Sequence, residues 1–363
     1  MTKPQVLISD PSLRDGNHAV RHQLQASQIA VYCEAADAAG IPIVEVGHGN
    51  GIGASSLQLG ESAISDEVML STARSHLKRS RLGIHVIPGF ATIQRDLKLA
   101  IDLGVDVIRV ASHCTEADIT QRHIEFSRTA GKTTYGVLMM SHMTSPTGLA
   151  EEAKKMESYG AEGIVIMDSS GHFLPADVAD RMKHLRDALN IPIGFHAHNN
   201  LGMAIANSVT AAQEGATIID ATARGFGAGA GNAQLEVLVA VLERMGYDTG
   251  VDLYKVLDAG DVAEKSVVEV VPTISSVSVV SGLAGVFSGF AKPVARIAEE
   301  FKVDPRDIFF ELGRRGIIAG QEDFIIEVAA ELAKGDSRHK SREAPATNVI
   351  ELKTTRAGNE QRS

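Results

Sequence analysis

Two short stretches hold the residues with the greatest chemical capacity. SLRDGNHA, Ser12 to Ala19, places an arginine, a carboxylate and an imidazole within five positions. Arg14 offers a positive charge at any working pH, Asp15 a hard ligand for a divalent cation, and His18 a base that titrates near neutrality. Gly16 lets the backbone turn tightly among them. GFHAHNN, Gly194 to Asn200, carries the second set. On a strand, His196 and His198 point to one face, and two buried imidazoles without a partner carry a desolvation cost that a shared metal removes. Asp15 is the expected third ligand, giving two histidines and one carboxylate with positions left open for substrate and water. Such mixed N/O donors suit manganese, iron, cobalt or zinc alike. A 2-oxo acid held there would have its enolate stabilised when a bond α to the carbonyl breaks or forms. Arg14 would face the developing oxyanion and His18 would serve as base. The competing reading pairs Asp15 with Arg14 alone. It also treats His48, His113, His142 and His172, each just past a strand, as polar strand ends that satisfy their neighbours.

That chemistry needs a scaffold that brings residue 15 beside residues 196 and 198. Strand-then-helix units recur eight times, with strands read at residues 6–8, 43–46, 82–87, 106–111, 134–140, 164–167, 193–198 and 217–221. Proline at first helical turns and glycine just past helix ends, as at Gly40, Gly104, Gly160 and Gly215, mark the boundaries. Eight near-equal βα units predict a closed (β/α)8 TIM barrel. Closure sets strand one beside strand eight, which neighbours strand seven. An open, doubly wound sheet would want phosphate-binding glycines after its first strand, where this chain has SLRDGNHA. The glycines of ARGFGAGAGN, Ala223 to Asn232, fall after strand eight and alternate as GxGxGxG, which suits close passage of backbone past the metal site. The barrel is expected over residues 1–250 and a helical C-terminal domain over 251–335. Within the latter, a helix over Leu253–Val267 leads to a Ser- and Val-rich connection over Val270–Val280, then to three more helices. Residues 336–363 are polar, and a disordered tail is expected there.

Composition narrows the class. The 363 residues are 44% hydrophobic and 22% charged, the balance of a soluble globular protein. A net charge of −10, the absence of Trp and 4% aromatic content argue against nucleic acid as a partner. No apolar run approaches the roughly 20 residues of a membrane span, and MTKPQVLISD is too short and polar for a secretory signal. Two cysteines, Cys33 and Cys114, frame no disulfide scaffold. The cytoplasm is the expected location.

The chain resembles the 4-hydroxy-2-oxovalerate aldolases, metal-dependent class II pyruvate aldolases of the wider family that includes isopropylmalate synthases and hydroxymethylglutaryl-CoA lyases. The likeness runs from about Gln5 to Lys334 and rests on SLRDGNHA, EVGHGNG, RVASHCTEAD, GVLMMSHM, MDSSG, HAHNNLG, GFGAGAGNAQLEV and GQEDFIIEVA. It implies reversible cleavage of 4-hydroxy-2-oxoacids to pyruvate and an aldehyde through a metal-bound enolate. Asp15, His196 and His198 would bind the metal, usually manganese, with cobalt, magnesium or zinc as substitutes. Arg14 would stabilise the enolate, His18 would take the C4 hydroxyl proton, and Ser169 would contact the substrate carboxylate. The resemblance also implies an acylating aldehyde dehydrogenase partner contacted through the helical tail, an oligomeric assembly, and a place in the breakdown of aromatic hydrocarbons. Three positions depart from the family pattern: Phe287 and Leu59 stand where it has tyrosines, and Asn50 where it has an acid. A bulkier or aromatic aldehyde is therefore expected. Two alternatives predict different behaviour. A Claisen-type acyl transferase of the isopropylmalate or homocitrate synthase type would release thiol from acetyl-CoA, and a non-catalytic subunit of a dehydrogenase complex would turn over no 2-oxo acid.

Overall fold

β-Branched apolar runs form eight strands: β1 Leu7–Leu13, β2 Ile43–Val46, β3 Arg81–Val86, β4 Val107–His113, β5 Thr133–Met139, β6 Ile164–Asp168, β7 Ile193–Ala197 and β8 Ile218–Asp220. All neighbouring pairs are parallel, and β1 pairs with β8 to close the barrel in chain order. The computed structural model describes residues 3–335, so the tail expected over 336–363 lies outside the described residues. Eight helices follow the strands: α1 Ala26–Ala39, α2 Asp66–His76, α3 Lys98–Asp102, α4 Gln121–Thr129, α5 Pro146–Ser158, α6 Pro175–Ala188, α7 Ala204–Gln213 and α8 Leu235–Arg244. Proline opens α5 and α6, and Gly40 ends α1 in the left-handed conformation, as the boundary signals require.

Strand alternation divides the interior into two layers. In β2, Val44 and Val46 join the core between strands and helices, whereas Ile43 faces inward. Ile43, Val107, Val137, Val165 and Ile218 fill the barrel floor. The next inward positions of β2, β4 and β8, and one on β7, are instead charged or titratable: Glu45, Arg109, Asp220 and His196. An apolar floor thus carries a polar layer at the end of the barrel where βα loops emerge.

The first strand extends further than its apolar run suggested, to Leu13 rather than residue 8. Its pairing with β2 shifts register between Asp10 and Leu13. The shift spans Pro11, which has no N–H to give to a ladder. Irregularities of this kind re-aim the chain beyond them, and in β1 they turn it towards Arg14 and Asp15.

Helix α9, Leu253–Ser266, packs along α1, and its Val256 and Ala263 join the barrel's outer core. Four further helices complete the C-terminal region: α10 Ser276–Ala284, α11 Ala291–Phe301, α12 Pro305–Arg314 and α13 Asp323–Ala333. Val286, Phe290, Val294, Ile308, Phe309, Leu312 and Val328 give them a hydrophobic cluster of their own. Sequence spacing suggested a connection over Val270–Val280, but α10 begins inside it. Valines and serines are weak helix formers. The start is set instead by Ser275, whose side chain accepts the Ser278 N–H while Ser278 accepts the Ser275 N–H, a reciprocal cap. None of the described helices is long and apolar enough to cross a membrane.

Candidate active site

Asp15, His196 and His198 come together at the barrel mouth, each with one ligand atom within 4.8 Å of the other two. All three are buried. His196 Nδ1 lies 2.9 Å from Asp220 Oδ2. Arg109 Nη2 donates to the same oxygen at 2.7 Å, so the shared partner is a carboxylate and the imidazole must donate to it. That fixes a proton on Nδ1 and makes Nε2 the nitrogen that could ligate a metal. This Nε2 faces His198 Nε2 at 3.4 Å. Burial pushes His198 down to about 3, so its ring is neutral and able to ligate at neutral pH.

Asp15 is held on both oxygens. Oδ1 accepts from Arg14 Nη1 at 2.8 Å; Oδ2 accepts from Asn232 Nδ2 at 2.8 Å and from the Ala228 N–H at 3.3 Å. Burial alone would raise its pKa. The Arg14 guanidinium, foremost among the groups around it, overrides that and holds the carboxyl well below the usual range. The donor set therefore fits a divalent cation: one ionised carboxylate and two imidazoles whose Nε2 atoms face one another. The ion pair with Arg14 does not compete with this arrangement, because the two coexist.

Beneath the trio runs a chain of buried charges that spacing in the sequence did not assign. Arg14 Nε donates to Glu45 Oε2 at 3.1 Å, and Arg109 bridges Glu45 and Asp220. Two guanidinium groups stand against the carboxylates of Asp15, Glu45 and Asp220, one net negative formal charge. Arg14 Nη2 is buried and has no partner. It is a fixed donor beside Asp15.

Glycines admit this packing. A Cβ on Gly227 would lie 2.6 Å from Asn232 Nδ2 and 2.7 Å from Asp15 Oδ2, so the glycine-rich loop does pass close to the carboxylate. Gly16 plays a different part from the one expected. Its φ is not positive, but a Cβ there would strike the Phe226 ring at 2.2 Å; the position needs space, not left-handed backbone.

The remaining candidates spread around the rim. His18 closes the short helical turn Asp15–His18, and its ring lies where a Cβ on Gly49 would meet it at 2.5 Å. Burial lowers its pKa, with Asp15 opposing and Arg14 and Lys292 reinforcing. Phe287 reaches over from the segment after α10, its ring edge-on to His18 with centroids 6.4 Å apart. Ser169 Oγ accepts the Met140 N–H at 2.9 Å, leaving its own hydrogen free to donate. Asn50 and Leu59 lie half-buried on the loop after β2, where their backbone N–H groups donate to His48 Nδ1 and Ser56 Oγ.

The other strand-end histidines bond neighbouring groups of the protein. His48 stacks on His22 at 3.6 Å and bonds the Gly60 carbonyl. His142 Nε2 and His172 Nδ1 bond the carbonyls of Gly285 and Gly282, and His113 Nδ1 lies 2.8 Å from Thr115 Oγ1.

Fold and sequence together define the class. The HMGL-like family model matches residues 5–263, and the model of the DmpG-like communication domain matches residues 272–334. The 4-hydroxy-2-oxovalerate aldolase of Spirochaeta aurantia is 66% identical over 336 residues, 93% of this chain and 98% of its own. That of Pectobacterium atrosepticum is 65% identical over 330 residues, 91% and 96% respectively. Among solved structures, the N-terminal domain of a putative aldolase from Bacteroides vulgatus superposes with a TM-score of 0.69 at 22% identity, over 82% of this chain and 98% of that one. The carboxyl transferase domain of Rhizobium etli pyruvate carboxylase gives 0.76 at 16% identity, over 92% and 62%. At these identities the two structures speak for the fold alone. The chain belongs to the 4-hydroxy-2-oxovalerate aldolase family. It is an aldolase, a carbon–carbon lyase, and neither the Claisen-type transferase nor the non-catalytic subunit is favoured.

Proposed function

We propose that the chain cleaves 4-hydroxy-2-oxoacids to pyruvate and an aldehyde, and forms them in reverse, at the Asp15–His196–His198 site. The observation that carries this reading is the pairing of a three-ligand trio with an unpartnered, buried Arg14 Nη2 beside it. Asp15, His196 and His198 would hold a divalent cation, Mn2+ as first choice, which when bound supplies a Lewis acid for the 2-oxo group. The charge balance supports this. One net negative formal charge in the buried layer, a dication and a singly charged carboxylate substrate sum to zero, so substrate completes the neutralisation.

The protein's own groups then have separable tasks. Arg14 Nη2 donates to the C2 oxygen as negative charge develops there, and a preplaced donor of this kind is worth about 3 kcal/mol. His18, kept neutral by burial, accepts the C4 hydroxyl proton while the C3–C4 bond breaks. Ser169 directs its free O–H at the substrate carboxylate. The phenyl ring of Phe287 beside His18 gives that base no hydroxyl partner. With Asn50 and Leu59 on the facing loop, it supports a less polar, bulkier aldehyde. Residues 272–334 would carry the contact with an acylating aldehyde dehydrogenase that takes the aldehyde, in an oligomeric complex of the cytoplasm.

The experiment is an aldehyde panel, from acetaldehyde to aromatic aldehydes, with pyruvate and 2-oxobutyrate as donors, with and without added Mn2+. Metal-dependent aldol formation that favours longer or aromatic aldehydes is expected. Turnover equal in chelator-treated enzyme removes the metal assignment, and a preference for acetaldehyde removes the acceptor assignment.

A further inference from the structure

His85, an imidazole within the barrel, has no partner. On β3, Leu82, Ile84 and Val86 belong to the outer core, so Gly83 and His85 face inward. The direction of Gly83 confirms the phase, since a Cβ there would lie 3.2 Å from Glu45 Cγ. His85 pairs across the sheet with Arg109, which puts it at the level of the charged layer. It is 2% exposed and its Nδ1 is buried without a bond. Among the described residues no hydrogen bond reaches either ring nitrogen. Leaving a buried polar group unpaired carries a desolvation cost, which a leucine of similar bulk avoids. Arg14 Nη2, Arg109 Nε and His198 Nδ1 are buried and unpaired here as well.

Position within the ring of strands says which part of a substrate His85 would meet. A Cβ on Gly51 would come 3.4 Å from His85 Cδ2, as one on Gly49 would meet the His18 ring. His85 and His18 therefore border the same loop after β2. Ser169 follows β6, three strands from β3 in a closed ring of eight. Burial together with Arg14 and Arg109 keeps the ring neutral, and a neutral imidazole offers one donor and one acceptor.

We infer that His85 is a substrate-binding residue that hydrogen-bonds the C4 oxygen of the 4-hydroxy-2-oxoacid, on the His18 side of the mouth. This rests on the aldolase reading above and assigns a group to its aldehyde half. The test compares His85→Leu and His85→Gln with wild type in three measurements: cleavage of 4-hydroxy-2-oxovalerate, exchange of pyruvate C3 protons in D2O, and Mn2+ affinity by calorimetry. Proton exchange uses only the pyruvate half and serves as the internal control. His85→Leu is expected to lose about tenfold in kcat/KM for cleavage, with exchange and Mn2+ affinity within about twofold of wild type and melting no lower. His85→Gln should recover most of the loss. Unchanged cleavage by His85→Leu overturns the inference. So does a parallel fall in exchange or metal affinity, or a lower melting temperature, because each assigns the ring to the charged layer or the fold. Wild-type protein that cleaves no 4-hydroxy-2-oxoacid but retains pyruvate exchange overturns both this and the aldolase reading.

Discussion

Replacing Asp220 by asparagine tests whether the layer beneath the ligands sets the metal site. In the native arrangement one carboxylate oxygen takes His196 Nδ1–H at 2.9 Å and Arg109 Nη2–H at 2.7 Å. Asp220→Asn keeps the shape and removes the charge. A hydrogen bond to a charged group contributes about 1.5–3 kcal/mol, and outer partners of ligating histidines are worth about 10–100-fold in metal affinity. The two figures agree, since every 1.4 kcal/mol or so is tenfold. The layer's formal charge also changes from one net negative to zero, which weakens the pull on a dication further. Asp220→Asn should therefore bind Mn2+ about 10–100-fold more weakly in calorimetric titration of metal-free protein at about pH 7.5. The metal-free protein should also lose stability, because Arg109 keeps only Glu45 as a charged partner. An Mn2+ dissociation constant within twofold of wild type would refute the idea that Asp220 orients His196.

Other outcomes rest on the same geometry. Gly227→Ala should cost about 1–3 kcal/mol, read as weaker Mn2+ binding, because the new Cβ meets both Asp15 and Asn232; unchanged binding would show that the loop yields freely. Arg14→Ala should lower kcat for cleavage by the equivalent of about 3 kcal/mol, and normal rates would remove the arginine from the oxyanion. Acid should weaken the fold early. Burial pushes His48 down to about 4 and His22 to about 2, so the unfolded chain binds more protons below about pH 6.5. The stability these two contribute is complete above that pH and falls as pH drops, by about 1.4 kcal/mol per unit for each ring. Urea midpoints at about pH 7.5 and about pH 5.5 measure it, and His48→Gln should flatten the slope.

The sequence was most legible where local rules act alone. Alternation by itself placed His196 and His198 on one face, and the repeat of eight βα units implied the closure that brings β1 near β7. The charged layer was harder to see. Glu45, Arg109, Asp220 and His85 each stand singly in a β-branched run, and period-2 counting says that they face inward but not which of them meet. Their pairing depends on the stagger of strands around the barrel, a property of the whole sheet. The signal available was the cost itself: lone charges in buried strands need partners. Similarly, the Ser275 cap of α10 outweighs the weak helix preference of the valines beyond it.

The join between the catalytic loops and the C-terminal helices has one property that bears on how such chains can diverge. His142, His172 and Ser169 reach across it, yet they engage only backbone on the far side: the carbonyls of Gly285 and Gly282 and the N–H of Ser288. Any residue supplies a carbonyl, so side chains along α10 are free to drift without breaking these bonds. The constraint falls on emptiness. A Cβ on Gly285 would stand 2.9 Å from His142 Nε2, and one on Gly282 would stand 3.0 Å from Asn200 Cβ. Two missing methyl groups therefore let the outer surface of α10 change its chemistry while its seat on the barrel stays fixed.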